Sequence, residues 1–180
     1  MSVAPSMLSS SAHPERDAEP ATERAFRDLV RTIGLLERVM QPQFARFGIS
    51  GSQWAALRSL HRAEQEGHDG LRITDLSDRL LIRPPSVTGV IDRLERIHLV
   101  VRDPSHDDLR SRCVRLTDAG RHLVIQVTGV YASHVERALG GLVPDDQHEL
   151  QRLLGRLSAH LQSLLDDAAV PAQGATEINP

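Results

Sequence analysis

The chain has 180 residues, enough for one compact domain with a real core and too few for two large independent ones. It is 40% hydrophobic and 25% charged with only five aromatic residues, so its core must come from Leu, Val, Ile and Ala, a composition that favours helices. One cysteine, Cys113, excludes an internal disulfide framework and a Cys-rich zinc site, and no apolar run approaches the roughly 20 residues of a membrane span. The N-terminus lacks the basic and apolar regions of a signal peptide, so a cytoplasmic protein is expected. The net charge of −3 is unevenly spread: residues Leu71 to Arg115 hold nine arginines against seven acids, while both flanks are net acidic. All 21 basic residues are arginine, which reads as the codon bias of a GC-rich genome, although arginine's fork also suits phosphate; a basic stretch this small is usually just a solvated face and does not by itself diagnose DNA binding.

Residues 1–22 and 168–180 are rich in small, polar and Pro residues without periodicity, and read as flexible tails. Between them, Phe26, Leu29, Ile33, Leu36 and Met40, continued by Phe44 and Phe47, form the apolar stripe of a long helix that Gly48 stops. Pro42 lacks a backbone donor, which predicts a kink or break near Met40 to Gln41. A second helix capped by Ser50 or Ser52 carries Trp54, Leu57 and Leu60. Thr74 is placed to cap a short helix to about Leu81, and Arg83-Pro84-Pro85-Ser86 interrupts the chain before another helix to about Arg96. The β-branched segments LVVRDP and RCVRLT flank a polar stretch and predict a two-stranded hairpin with a long tip. Thr117-Asp118 then opens a long helix with Leu123, Val127, Val130, His134 and Ala138 on one stripe. Gly140-Gly141 ends it, and Pro144 opens a last helix striped by Leu150, Leu154, Leu157, Leu161 and Leu164. Stripes at both ends of so short a chain point to a helical homodimer interface containing Phe26, Leu29, Ile33, Leu150, Leu154, Leu157 and Leu161, with an intramolecular bundle as the alternative.

The segment from Ile73 to Gly120 contains L-S-x-x-L, then S-V-T with D-R-L-E, then L-V-x-R, then D-x-R-S and V-x-L-T-x-x-G, in that order. Together these resemble the MarR family of bacterial winged helix-turn-helix regulators. The resemblance implies a mainly α fold with a small β-wing: a winged helix-turn-helix over 50–117, and dimerisation helices over 23–48 and 117–167. It implies a ligand-responsive repressor that binds double-stranded DNA sequence-specifically as a homodimer, on an inverted-repeat operator. The residues support it independently. Val87, Val90, Ile91 and Leu94 share one helix face, which turns Ser86, Thr88, Gly89, Asp92, Arg93 and Arg96 outward, small and polar enough to enter a major groove of roughly 12 Å. Gly89 fits either close approach to DNA or simple tolerance.

The DNA-contacting set is therefore Arg83, Pro85, Ser86, Thr88, Gly89 and Arg93 with Asp108, Arg110 and Arg112 of the wing. By resemblance, Arg110 enters the minor groove or touches phosphate and Asp108 orients a neighbouring arginine. Two departures stand out: His98 occupies a position where the family usually has Gly, and the stretch around His106 is about two residues longer than usual.

The resemblance also implies a small aromatic or phenolic effector, with Phe44, Phe47, Trp54 and Arg58 as candidate contacts, although Trp54 equally suits a plain core position. Cys113 has no securely placed basic partner to make it a thiol sensor, and His134 on an apolar stripe reads as packed. No metal-ligand spacing, cofactor motif, P-loop, GxGxxG or HExxH occurs, so neither an enzyme nor a cofactor is expected. A DNA-binding architectural module without an effector remains the other reading.

Overall fold

The computed structural model describes residues 20–104 and 112–169. The first helix, α1 (Ala21–Ala45), runs through Pro42 instead of breaking at Met40–Gln41. Pro42 lies in the last turn, where the helix is ending anyway, so its missing donor deprives only the carbonyl of Arg38. Gly48 supplies the left-handed turn at φ 72°. Helix α2 (Gly51–Gln65) begins with a capping box in which Gln53 N–H donates to the Ser50 hydroxyl and Ser50 N–H to the Gln53 side chain at 2.8 Å.

Helix α3 (Ile73–Leu80) starts one residue before the expected Thr74 cap. Its first turn is secured instead by Asp75, whose carboxylate accepts from the backbone and guanidinium of Arg72. Partial burial opposes that carboxylate, but the hydrogen bonds from Arg72 outweigh it and hold its pKa below the ordinary value. Leu81 then adopts φ 54°, and the Ser77 hydroxyl donates to the carbonyl of Ile82, closing the corner before α4 (Pro84–Arg96). Pro84 stands at the first helical position, where the absent N–H has no partner to lose.

Strands β1 (Val100–Pro104) and β2 (Arg112–Leu116) pair antiparallel, from Val100 opposite Leu116 to Pro104 opposite Arg112, and Leu71 adds an isolated bridge to Val114. Helices α5 (Asp118–Leu139) and α6 (Pro144–Ala169) follow. Thr117 caps α5. A Cβ at position 120 would overlap the Leu99 carbonyl oxygen, so the glycine lets α5 begin hard against the root of the wing.

One core joins α2, α3, α4, the hairpin and α5, with Leu57, Leu60, Leu76, Ile91, Leu94, Val114, Val124 and Val127 fully buried. The buried stripe of α5 is Gly120, Val124 and Val127, flanked by Leu123, Tyr131 and Val135. Val130 lies outside it, exposed, contrary to the periodicity reading. Of α1 only Met40 and Phe44 are buried, and no described side chain of α6 is. Phe26, Ile33, Leu150, Leu154, Leu157 and Leu161 are exposed, Phe26 to 69%, with Leu29 half-buried. Among the described residues no helix is long and apolar enough to cross a membrane.

Candidate nucleic-acid interface and effector cavity

Helix α4 divides as its sequence requires. Val87, Val90, Ile91 and Leu94 are buried, so the opposite face is fixed in direction by the core. Ser86, Thr88, Asp92, Arg93 and Arg96 are exposed there, Gly89 is half-exposed, and Arg83 and Pro85 are exposed where the helix begins. The Thr88 hydroxyl donates to the Pro84 carbonyl at 3.0 Å, which spends its proton and leaves its oxygen an acceptor beside a free methyl. Nothing lies within 4 Å of a Cβ built at Gly89, so the fold of this chain does not itself demand glycine there.

The arginines of this region sort into two groups. Arg102 of β1 reaches across to Asp92 at 2.6 Å and to Glu95 on α4. On the other side of the hairpin Arg115 binds Asp103 and Asp69, each at 2.7 Å, and these hydrogen bonds raise its pKa above the ordinary arginine value. Arg121 likewise ties α5 to Glu64 of α2 at 2.9 Å. By contrast Arg83, Arg93, Arg96 and Arg112 have no anionic partner among the described residues. Asp108, Arg110 and His106 lie outside the described residues.

The His98 departure resolves cleanly. His98 takes φ 59°, its N–H bonds the Glu95 carbonyl, and Leu99 N–H bonds the Leu94 carbonyl. The chain thus makes the left-handed helix cap with a side chain where glycine is easier.

On the opposite side of α2, a cleft of about 820 Å³ opens between α1, α2 and α5. Phe44, Trp54 and Arg58 line it, as the sequence suggested. Phe47 is absent from its lining and packs against the core from the turn that follows α1. Tyr131 was missed. It stacks with Phe44 at 6.3 Å and tilts against Trp54 at 5.7 Å, while the Arg58 guanidinium sits 5.4 Å above its ring. The available signal was its spacing from Val124 and Val127, seven and four residues on. The indole N–H of Trp54 is buried without a hydrogen-bond partner among the described residues.

The sequence profile of the MarR family matches residues 49–111. The chain is 33% identical to the HTH-type transcriptional regulator YkoM of Bacillus subtilis over 118 residues, 66% of this chain and 73% of the relative. It is 30% identical to the transcriptional activatory protein BadR of Rhodopseudomonas palustris over 157 residues, 86% of this chain and 87% of the relative. The chain belongs to the MarR family. It is a DNA-binding transcriptional regulator of that family and not an enzyme. The fold is similar to that of a mutant MarR from E. coli complexed with operator DNA, with a TM-score of 0.68 at 21% identity, covering 74% of this chain and 93% of that one. The winged helix assigned by the sequence is thus the observed one.

Proposed function

We propose that the protein is a ligand-responsive repressor acting as a homodimer on an inverted-repeat operator. The observation that carries this reading is the uncovered apolar surface of α1 and α6. Phe26, Val30, Ile33, Leu36 and Val39 on one helix and Leu150, Leu154, Leu157 and Leu161 on the other are exposed in a single chain. Their removal from water by a second copy stabilises the assembly by about 25 cal/mol per Å² of apolar surface. Residues 23–48 and 117–167 then form the dimerisation part, flanking the DNA-reading part at 50–117.

A two-fold axis gives two α4 helices related by symmetry, and such a pair enters successive major grooves about one helical turn, roughly 10 bp, apart. In each, Ser86, Thr88, Gly89 and Arg93 face the bases, while Arg83, Pro85, Arg112 and, by family resemblance, Asp108 and Arg110 serve the backbone or minor groove. The cleft beside Trp54 supports the ligand-responsive part: aromatic walls and the cation of Arg58 suit a small aromatic or phenolic effector. The effector acts through differential binding to the DNA-competent and incompetent dimers. Repression follows when the operator overlaps a promoter. The name of the relative from R. palustris favours activation as the second reading.

Sedimentation of the full chain, followed by footprinting on a duplex it selects from a randomised pool, tests the proposal. A dimer protecting two symmetric half-sites is expected. A monomer bound to one asymmetric site overturns it. Transcription from a promoter carrying that duplex decides between repression and activation.

A further inference from the structure

Two acidic side chains lie on the helix that reads DNA. Asp92 is exposed on the groove-facing side of α4 and Glu95 is half-buried one turn on, so a polyanion approaching this face meets two carboxylates among its arginines. Both are held by the same guanidinium. Arg102 donates through one terminal nitrogen to Asp92 at 2.6 Å and through the other to Glu95. It retains only 20% side-chain exposure, and it belongs to the wing strand, opposite Val114 in the hairpin register.

We infer that Arg102 is a positioning residue for operator recognition, which sets the angle between wing and recognition helix and masks the charge of Asp92 and Glu95 from the DNA backbone. The inference rests on reading α4 as the helix that enters the groove.

The geometry favours these two roles over a direct phosphate contact. A guanidinium that is only 20% exposed and whose two terminal nitrogens both serve carboxylates of one helix is turned toward that helix and away from an approaching phosphate. The ion pairs also fix the angle between two elements that share one core: Val87, Val90, Ile91 and Leu94 of α4 pack with Val100, Val114 and Leu116 of the hairpin, and at the edge of that packing Arg102 adds directional hydrogen bonds from strand to helix. On the other side of the hairpin, Asp103 is held by Arg115, which also binds Asp69 in the loop before α3. Consecutive residues of β1 thus anchor opposite sides of the wing, one to the recognition helix and one to the body.

The test uses the full chain and a duplex selected from a randomised pool by the wild-type protein, with a scrambled duplex of equal length as reference. Arg102→Ala is expected to weaken the selected duplex by roughly tenfold or more and to shrink the ratio between selected and scrambled duplexes. Adding Asp92→Asn to Arg102→Ala is expected to recover part of that loss, because an unmasked carboxylate is removed; an ion pair that merely holds the fold together would give no such recovery. Arg102→Lys, which keeps the charge without the fork, is expected to fall between wild type and Arg102→Ala, and serves in its place if the alanine variant does not fold. Wild-type affinity and preference in Arg102→Ala, or no recovery in the double variant, overturns the inference. Arg93→Ala and Arg96→Ala separate the underlying reading: if they leave binding to the selected duplex intact, α4 is not the reading helix and both ideas fall. If they abolish it while Arg102→Ala does not, only the role of Arg102 falls.

Discussion

The Thr117 hydroxyl donates to the His98 carbonyl oxygen at 2.8 Å, while the hydroxyl oxygen itself accepts the Gly120 N–H at 3.0 Å. One side chain therefore joins the end of α4 to the start of α5 across the base of the wing. Thr117→Ala removes an N-cap and the partner of a carbonyl together, so a loss of about 1–2 kcal/mol in urea denaturation is expected. Thr117→Ser, which keeps the oxygen, should retain most of the stability. Equal stability of Thr117→Ala and wild type would contradict the assignment.

His98 gives the opposite sign. Its backbone at φ 59° places a Cβ in the left-handed region, at a cost of about 1–2 kcal/mol that glycine avoids, against roughly 0.5–1 kcal/mol of extra chain entropy lost by glycine on folding. The side chain is exposed, so its removal takes little from the packing. His98→Gly is expected to raise stability by about 0.5 kcal/mol, read as a higher denaturation midpoint with an unchanged slope. A clear destabilisation would mean that the imidazole makes interactions in the dimer that the single chain does not contain.

These two residues also mark how far the sequence could be read. The seat of α4 was legible because Val87, Val90, Ile91 and Leu94 follow helical spacing and one face of a short helix has only one core to meet. The start of α3 was misread because Thr74 has the chemistry of a cap, yet the Leu76 N–H already bonds the Arg72 carbonyl and the Asp75 carboxylate takes the free N–H of Arg72, so the helix is under way before Thr74. Pro42 suggested a break because the sequence does not say how near the helix end it falls. The spacing of Tyr131 from Val124 and Val127 marked it as core-facing, but its partners Phe44 and Trp54 come from other helices, so the aromatic cluster was not legible in α5 alone. The Arg102 clamp was invisible for the same reason, its two carboxylates lying seven and ten residues away across a turn.

If α1 and α6 form the seam between two copies, Leu157→Glu with Leu161→Glu would bury charge in an apolar interface and cost several kcal/mol. Sedimentation is expected to show monomers or aggregates, with binding to the selected duplex abolished. Because neither side chain is buried within one chain, the winged-helix core should survive, visible as retained helical circular dichroism. An intact dimer in the double variant would remove α6 from the interface.

Trp54 is the sole tryptophan and stands in the wall of the cleft, so its emission reports directly on occupancy. Titration with small aromatic carboxylates and phenols, benzoate first, is expected to change that emission saturably. Arg58→Ala should weaken the response at least about tenfold if the guanidinium meets the ligand's charge, a loss of about 1.4 kcal/mol. Trp54→Phe removes an N–H that is buried without a partner among the described residues, and is expected to leave stability within about 1 kcal/mol while weakening ligands that carry a hydrogen-bond acceptor, read by titration calorimetry because the variant has no tryptophan emission. Emission unmoved by every member of such a panel would favour a regulator without an effector.

The wing and the recognition helix should respond differently to substitution. Arg112 is exposed on β2 without an anionic partner among the described residues, and Arg110 matches the wing arginine of the family by sequence. A cation that meets phosphate or the minor groove adds affinity with little discrimination. Arg110→Ala and Arg112→Ala should therefore weaken selected and scrambled duplexes alike and lower the salt slope by about one unit for each phosphate interaction removed. Thr88 works differently. With its proton given to the Pro84 carbonyl it offers an acceptor and a methyl, which fit the exocyclic amine of adenine or cytosine, or the methyl of thymine. Thr88→Ala, and Ser86→Ala beside it, should change the ranking of operator variants by roughly 1–3 kcal/mol at one base pair while leaving the salt slope in place. Isotherms on single-base variants at several salt concentrations measure both quantities at once. A Thr88→Ala protein that loses affinity uniformly, with a reduced salt slope, would show that this face of α4 touches the backbone and that base reading lies elsewhere.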